Sequence, residues 1–259
     1  MPELLTIDRA RVTYKQPGRQ RLVAVNDVSL TLGTRQVLGL VGESGCGKST
    51  LARAICGLEG LAGGSIEFNG APVQKLGMRK RDKAQLRIQM VFQNPYASLN
   101  PRRTIGSQIE DGLRVNPDSS AWTVPDLLGH VEMDASARDR FPHQFSGGQR
   151  QRIAIARAIA AGPELLVGDE PIASLDASLQ AKVAGLMRRL ALETGASLLF
   201  ISHDLSVVRV IADDVAVMSK GSIVESGTVD DIWSNPQQPY TQQLLASIPQ
   251  VDGLGILPG

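Results

Sequence analysis

The sequence has little cysteine, almost no net charge and no long apolar run, and each shortage removes a class of protein. Only Cys46 and Cys56 occur among 259 residues, with no CxxC pair and no neighbouring pair of histidines, so neither a disulfide framework nor a zinc site is expected. That usage fits a reducing compartment. Lysine and arginine total 27 against 26 acidic residues, a net charge of +1, far from the basic excess that draws a protein onto nucleic acid by counterion release. Nucleic acid is not expected as a partner. The longest apolar runs, such as Leu198 to Ile201, fall far short of the ~20 residues that cross a bilayer. Work at a membrane would need another chain to span it. The opening segment MPELLTIDRARVTY carries charges early and lacks a basic region followed by an apolar stretch and a small-residue cleavage site, so no export signal is expected.

What is present is ordinary for a globular protein: 42% hydrophobic and 20% charged residues, enough to bury a core in one large domain or two closely joined small ones. Residues 4–7 and 22–32, separated by the turn-rich Lys15-Gln16-Pro17-Gly18, read as antiparallel strands. Val37 to Val41 is a compact apolar strand that runs into GESGCGKST, after which LARAICGL takes helical spacing. Turn residues at Gly60 to Gly64 precede a strand at Ser65 to Phe68 and the hairpin signal Asn69-Gly70. The basic cluster Arg79-Lys80-Arg81-Asp82-Lys83 is short, contains an acid and adjoins a helical pattern, and reads as a solvated helix face. A strand at Ile88 to Phe92 leads into a polar, Pro-rich stretch and a mainly helical segment from Ile105 to Ala160, with Trp122 to Val131 and Arg152 to Ala161 its clearest helices. Strands at Leu165 to Val167 and Ser197 to Ile201 flank a helix at Leu179 to Glu193, the alternation of a parallel sheet. A last strand pair, Val215 to Ser219 and Ser222 to Glu225, meets at Lys220-Gly221, and the end VDGLGILPG reads as a loose tail at 250–259.

Gly42-Glu43-Ser44-Gly45-Cys46-Gly47-Lys48-Ser49 fits the phosphate-loop pattern G-x-x-x-x-G-K-[ST] and lies between a predicted strand and a predicted helix, as its mechanism requires. Glycines let backbone N–H groups turn in around a polyphosphate, Lys48 adds charge at the outer phosphates, and the Ser49 hydroxyl is a ligand for Mg2+. Gly42, Ser44, Gly45, Cys46, Gly47, Lys48, Ser49 and Thr50 are therefore candidate polyphosphate-binding residues, with the positive end of the following helix aimed at the same anion. Downstream, an apolar strand runs through Gly168 into Asp169-Glu170. In a phosphate-loop fold the first carboxylate holds Mg2+ and the second is a candidate general base, so hydrolysis is expected and not binding alone.

Phe145-Ser146-Gly147-Gly148-Gln149, followed by the helix RQRIAIARAIA, places a serine and two glycines at a helix N-terminus and makes a second anion-binding surface in a chain that already has one. Two such surfaces per chain suggest a shared site. Here the sequence resembles the ABC-transporter ATPases, in which this signature closes over the nucleotide held by the phosphate loop of another subunit. The resemblance rests on motifs in the family's order: Tyr14, the phosphate loop, Gln93 in a lid loop, the signature, Asp169-Glu170, and His203 after an apolar strand. It implies that Tyr14 stacks on adenine, that Gln93 approaches Mg2+ and the attacking water, and that His203 contacts the terminal phosphate. It implies that Ser146, Gly147, Gly148 and Gln149 act on the nucleotide of a second subunit, and that Ser174-Leu175-Asp176 matches the loop that crosses the dimer interface. Metal contacts would come from Ser49, Gln93 and Asp169.

The lid loop VFQNPYASLNPR, the GESGCGKST form and the C-terminal Asn235-Pro236-Gln237-Gln238-Pro239-Tyr240-Thr241 are similar to those of the oligopeptide, dipeptide and nickel importer group, with Gln238 where that group usually has His. By this resemblance the fold class is α/β, a P-loop core with an N-terminal antiparallel β subdomain and an inserted helical subdomain at about 95–160, all within one nucleotide-binding domain from 4 to 249. The chain would be an ATPase on the cytoplasmic face of the membrane, partnered by transmembrane permease subunits, a second ATPase subunit that is either a related chain or a copy of itself, and indirectly an extracytoplasmic substrate-binding protein. The cargo is left open among peptide, nickel, glutathione and metallophore. Gly168 before Asp169, and Ile172-Ala173 before Ser174, depart from the family pattern and predict unusual packing of the interface loop. No iron–sulfur centre is expected, because no cysteine follows Cys56. Two other readings are a soluble ATPase of the same superfamily acting on DNA or ribosomes, and a nucleotide kinase. The first lacks its usual coiled coil or fused second half, and the second leaves the signature unexplained.

Overall fold

The computed structural model describes residues 3–15, 18, 21–77, 82–116 and 122–248. Along the chain run β1 (Glu3–Tyr14), β2 (Leu22–Gly33), β3 (Val37–Val41), α1 (Lys48–Ile55), β4 (Gly63–Phe68), β5 (Ala71–Pro72) and β6 (Ile88–Val91). Then come α2 (Pro95–Ser98), α3 (Ile105–Val115), α4 (Val124–His130), α5 (Gly147–Ala160), β7 (Leu165–Asp169), α6 (Ala177–Glu193) and β8 (Ser197–Ile201). The chain closes with α7 (Leu205–Ile211), β9 (Asp214–Ser219), β10 (Ser222–Thr228), α8 (Val229–Ser234) and α9 (Pro239–Ala246). Among the described residues, no helix is long and apolar enough to cross a membrane.

Two sheets carry the architecture. The first is antiparallel, in the order β2-β1-β4-β5, and the second is ordered β10-β9-β3-β8-β7-β6. In the second sheet β9, β3, β8, β7 and β6 pair in parallel, and β10 closes the edge antiparallel to β9. Because side chains alternate across a strand, each parallel strand supplies two cores. Leu38, Leu40, Val167, Leu199, Ile201 and Met218 face α1 and the antiparallel sheet. Val37, Val41, Leu166, Leu198, Phe200, Val215 and Val217 face the other way, in one cluster with Ile105, Ile109, Leu128, Ile153, Met187 and Val208 from the helices. A fully buried side chain such as Phe200 stabilises by roughly 1.5–3 kcal/mol relative to its exposed state. The helical segment between β6 and β7 thus has its apolar residues in the same cluster as the sheet.

Element boundaries depart from the sequence reading where polar residues hide structure. β1 runs past residue 7 to Tyr14, through a register irregularity between Ile7 and Ala10 at which Arg9 has φ 44. The bulge holds the charged Asp8 and Arg9 outside while Ala10 and Val12 return to the core. Helix α5 starts at Gly147, where the signature places a helix N-terminus and earlier than the apolar spacing from Arg152, because Ser146 and Gln149 form a capping box: the Ser146 Oγ accepts from Gln149 N, and the Gln149 side chain accepts from Ser146 N at 2.9 Å. α4 starts at Val124 and not at Trp122, since Thr123 and Asp126 cap it in the same way. The short α7 has no counterpart in the sequence reading. It is set by Asp204, whose Oδ1 accepts from Ser206 N at 2.9 Å and Val207 N at 3.3 Å. Of the basic cluster only Asp82 and Lys83 fall within the described residues, and these precede a 3-10 turn at Ala84–Arg87. The tail at 250–259 lies outside them, as do Gln16 and Pro17 of the first turn.

Candidate active site

Parallel strands gather the loops at their carboxyl ends along one edge of a sheet. Here the ends of β3, β6, β7 and β8 bring together the phosphate loop, Gln93, Asp169-Glu170 and His203. The phosphate loop itself is shaped by contacts that only glycine allows. Gly42 has φ 149, and a Cβ on it would lie 2.1 Å from the Met218 carbonyl oxygen of β9. Gly47 has φ 115, and its Cβ would lie 2.2 Å from the Ala24 carbonyl oxygen of β2. Gly45, with φ 80, has open space around it. Gly42→Ala is accordingly expected to destabilise the fold by about 2 kcal/mol or more, a fall in Tm of roughly 4–8 °C in thermal unfolding, against about 1 kcal/mol for Gly45→Ala.

Helix α1 begins at Lys48 with Gly47 as N-cap, no side-chain cap and no acid in its first turn, which leaves a positive N-terminus open toward the cavity. Lys48 is 3% exposed, and a buried ammonium must be paired to be tolerated. Its Nζ donates to the carbonyls of Gly42 at 2.7 Å and Glu43 at 2.9 Å, and stands 3.8 Å from Glu170 Oε1. The Ser49 hydroxyl donates to Asp169 Oδ1 at 2.7 Å. Burial pushes the Asp169 carboxyl up, and the Ser49 hydrogen bond, Arg53 and Lys48 act against that rise.

Glu170 is the meeting point. Its Oε2 accepts from Gln93 Nε2 at 3.2 Å and lies 3.6 Å from His203 Nδ1. Its backbone sits in the left-handed region, φ 46, with its N–H donated to Ile201 O at 3.0 Å. That conformation costs a non-glycine residue of order 1–3 kcal/mol and is found where the surroundings enforce it. Around this carboxylate a cavity of about 290 Å³ is bordered by Ser44, Gly45, Gly47, Lys48, Ser49, Thr50 and Gln93, and by Tyr14, Leu22 and Ala24 of the antiparallel sheet. The Tyr14 hydroxyl donates to Thr50 Oγ1 at 3.4 Å. Sequence reasoning misses Leu22 and Ala24. The signal for Leu22 is the strand pairing, since it stands opposite Tyr14 across β1 and β2 and is half exposed.

Gly42 and Cys46 back the loop and do not border the cavity. The Cys46 carbonyl accepts from Gly221 N at 2.8 Å, and its buried thiol is pushed up by burial. The remaining predicted residues lie elsewhere. Ser146, Gly147 and Gln149 are exposed at the start of α5, and none of these, nor Gly148 or Asp176, borders the cavity. A Cβ on Gly148 would lie 2.4 Å from Leu179 Cδ2, so the signature packs closely on the start of α6. Asp176 caps that helix, accepting from Leu179 N at 3.0 Å and Ser178 Oγ at 2.7 Å, which holds its carboxyl below the usual range. Arg150 braces α5 on the preceding turn through Pro142 O at 2.6 Å. The departures at Gly168 and Ile172 have a packing reason: a Cβ on Gly168 would come within 3.1 Å of Pro171 Cγ, and Ile172 is buried in the helix-side core.

Fold and site together define an α/β phosphate-loop ATPase with a second glycine-rich helix start, at Ser146. A family model described as ABC transporter matches residues 25–173. The chain is 44% identical to the oligopeptide transport ATP-binding protein OppF of Bacillus subtilis over 258 residues, covering 96% of this chain and 84% of the relative. It is 47% identical to OppF of Salmonella typhimurium, with 95% of this chain and 75% of the relative covered. Against the dipeptide transport ATP-binding protein DppF of Escherichia coli the identity is 45%, with 90% and 71% covered. Among solved structures, cbiO1 from Clostridium perfringens superposes with a TM-score of 0.75 at 24% identity, covering 90% of this chain and 91% of that one. A dimeric ATP-binding cassette in a post-hydrolysis state, bound to ADP and Pi, gives 0.74 at 24% identity, with 87% and 98% covered. The chain belongs to the ABC transporter family. It is that family's ATP-binding, ATP-hydrolysing subunit.

Proposed function

We propose that this subunit powers peptide import from the cytoplasmic face of the membrane, as one half of an ATPase dimer docked under two permease subunits. The observation that carries the catalytic part is the convergence of Lys48, Gln93 and His203 on the Glu170 carboxylate beside the Ser49–Asp169 pair. The site fits a magnesium nucleotide. Lys48 is a buried cation held by neutral carbonyls that phosphate oxygens can replace, and a hydroxyl and a carboxylate stand in contact where a hard cation is bound by one or two protein oxygens plus phosphates. Ser49 and Asp169, with Gln93, would hold Mg2+, which when bound neutralises charge on the phosphates. Lys48 and the N-terminus of α1 bind the phosphate chain, and Tyr14 takes the adenine on its ring with Leu22 beside it. Glu170 accepts the proton of the attacking water, while Gln93 and His203 hold that water in line.

Ser146, Gly147, Gly148 and Gln149 stand away from this cavity, which supports their acting on the nucleotide of the second subunit, with Asp176 at the same interface. That second subunit is a related chain or a copy of this one. A groove of about 420 Å³ beside the lid loop, between Phe92, Ser98, Met90 and the ion pair of Arg103 with Asp111 of α3, is the place for a permease segment. Peptide as cargo, delivered by an extracytoplasmic binding protein, is supported by the names of the relatives. These are transport proteins, which leaves the soluble DNA or ribosome reading without support.

The test is ATP hydrolysis by the chain assembled in lipid vesicles with its permease and second ATPase subunit. Adding binding protein loaded with short peptides is expected to raise turnover several-fold, and nickel complexes are expected to leave it unchanged. Stimulation by nickel and not by peptide would reverse the assignment of cargo. Failure to associate with any permease would remove the transport role.

A further inference from the structure

Helix α9 reaches the phosphate loop. The Glu43 amide, 197 residues away in sequence, donates to the Tyr240 hydroxyl at 3.1 Å. The same residue is held at its other end, where the Glu43 carbonyl accepts from Lys48 Nζ at 2.9 Å and from Cys46 N at 3.3 Å. Tyr240 is presented by α9, and the approach to that helix is pinned by Glu225 of β10. Its Oε1 accepts from Gln237 N at 2.7 Å and its Oε2 from Gln238 N at 3.1 Å. The Tyr240 ring, with Leu244 and Leu245, packs on the helix-side core, so the hydroxyl is delivered by a packed element.

We infer that Tyr240 is a positioning residue of the nucleotide site, its hydroxyl fixing the Gly42-Glu43 end of the phosphate loop, with Glu225 as the anchor of the arm that carries it. This rests on the reading of that loop as the nucleotide site. The Lys48 ammonium has three donors, two of them on the Gly42 and Glu43 carbonyls, so it meets a second phosphate oxygen only by releasing one of these carbonyls, and its grip on the loop then weakens. The Tyr240 contact is independent of Lys48 and keeps the first turn of the loop in place. Fixing the loop before binding lowers the ordering cost that the ligand must meet. Gly42 supplies the second fixed point, wedged under the Met218 carbonyl, and the loop is then held on both sides of its entry.

The experiment is a calorimetric titration of the purified full chain with MgATP, for the wild type, Tyr240→Phe, Glu225→Gln and the double variant, with thermal unfolding of each. Tyr240→Phe keeps the packed ring and is expected to weaken MgATP binding roughly two- to fivefold, the range of one neutral hydrogen bond, with Tm essentially unchanged. Glu225→Gln is expected to shift the affinity in the same direction. The double variant is expected to be no weaker than the weaker single one, because both act through one contact. In the assembled transporter the KM for ATP rises by the same factor and kcat holds within roughly twofold. Unchanged affinity in Tyr240→Phe, or a fall in kcat at constant KM, overturns the positioning role. A wild-type chain that binds no MgATP overturns both this inference and the nucleotide reading beneath it.

Discussion

Replacing Glu170 by Gln is expected to cut ATP hydrolysis by roughly 10²–10⁴-fold, the usual contribution of a general base, while MgATP binding stays within about threefold. The carboxamide keeps the size of the side chain and one oxygen to accept from Gln93 Nε2, now at 3.2 Å from Glu170 Oε2. What it loses is the ability to take a proton from water. It also loses the charge that faces Lys48 Nζ at 3.8 Å, so the ammonium is freer to bind phosphate and the nucleotide complex is not weakened. With hydrolysis blocked, the ATP-bound dimer with the second ATPase subunit should accumulate, visible in size-exclusion chromatography of the two subunits together with MgATP. Single-turnover phosphate release gives the rate. Full turnover in this variant would remove Glu170 from the base role and leave the left-handed backbone at this residue, φ 46, without its functional reason.

Lys48→Ala acts one step earlier. It removes the charge-assisted contacts to the outer phosphates, each worth about 1.5–3 kcal/mol, and the dissociation constant for MgATP is expected to rise by roughly 10²-fold. The unliganded fold should change little, within about 1 kcal/mol, because the desolvation of a nearly buried ammonium offsets the bonds it makes to Gly42 and Glu43 carbonyls. A titration of the purified chain beside its thermal unfolding separates the two effects. Affinity within threefold of wild type would mean that the loop binds phosphate through its backbone alone. The two variants also distinguish the two steps: Lys48→Ala loses binding, and Glu170→Gln keeps binding and loses chemistry.

The parts of the site that are legible in the sequence are those encoded within a few residues. The strand ending at Val41, the glycine spacing through Gly47, and Lys48-Ser49 opening a helix are local statements, and the backbone at Gly42 and Gly47 agrees with them. The signature helix is legible for the same reason, although apolar spacing alone starts it too late and the Ser146–Gln149 cap sets its true beginning. Much of β1 is not legible. A bulge at Arg9 shifts the alternation midway, so a period-two reading stops at residue 7 and misses the stretch that carries Tyr14 to the cavity. Ala24 and Tyr240 carry no local signal for their contacts with the loop, nor Leu22 for its place in the cavity wall.

The sequence by itself determined the chemistry available: a phosphate loop, an acidic pair after a buried strand, a second glycine-rich helix start, and too few cysteines for a disulfide framework. These depend on backbone conformation and side-chain type over short spans, and local physics is enough to write them. Only the tertiary structure decided what meets what. Gln93 and Glu170 are 77 residues apart in sequence and meet because their parallel strands end at one edge of the sheet. The signature lies apart from the phosphate loop of its own chain because α5 starts against α6. Tyr240 meets the Glu43 amide from α9, while Glu225 of β10 accepts from the Gln237 and Gln238 amides just before that helix. Contacts between distant residues depend on strand order and on which helix covers which face, and no periodicity within a window of sequence encodes either.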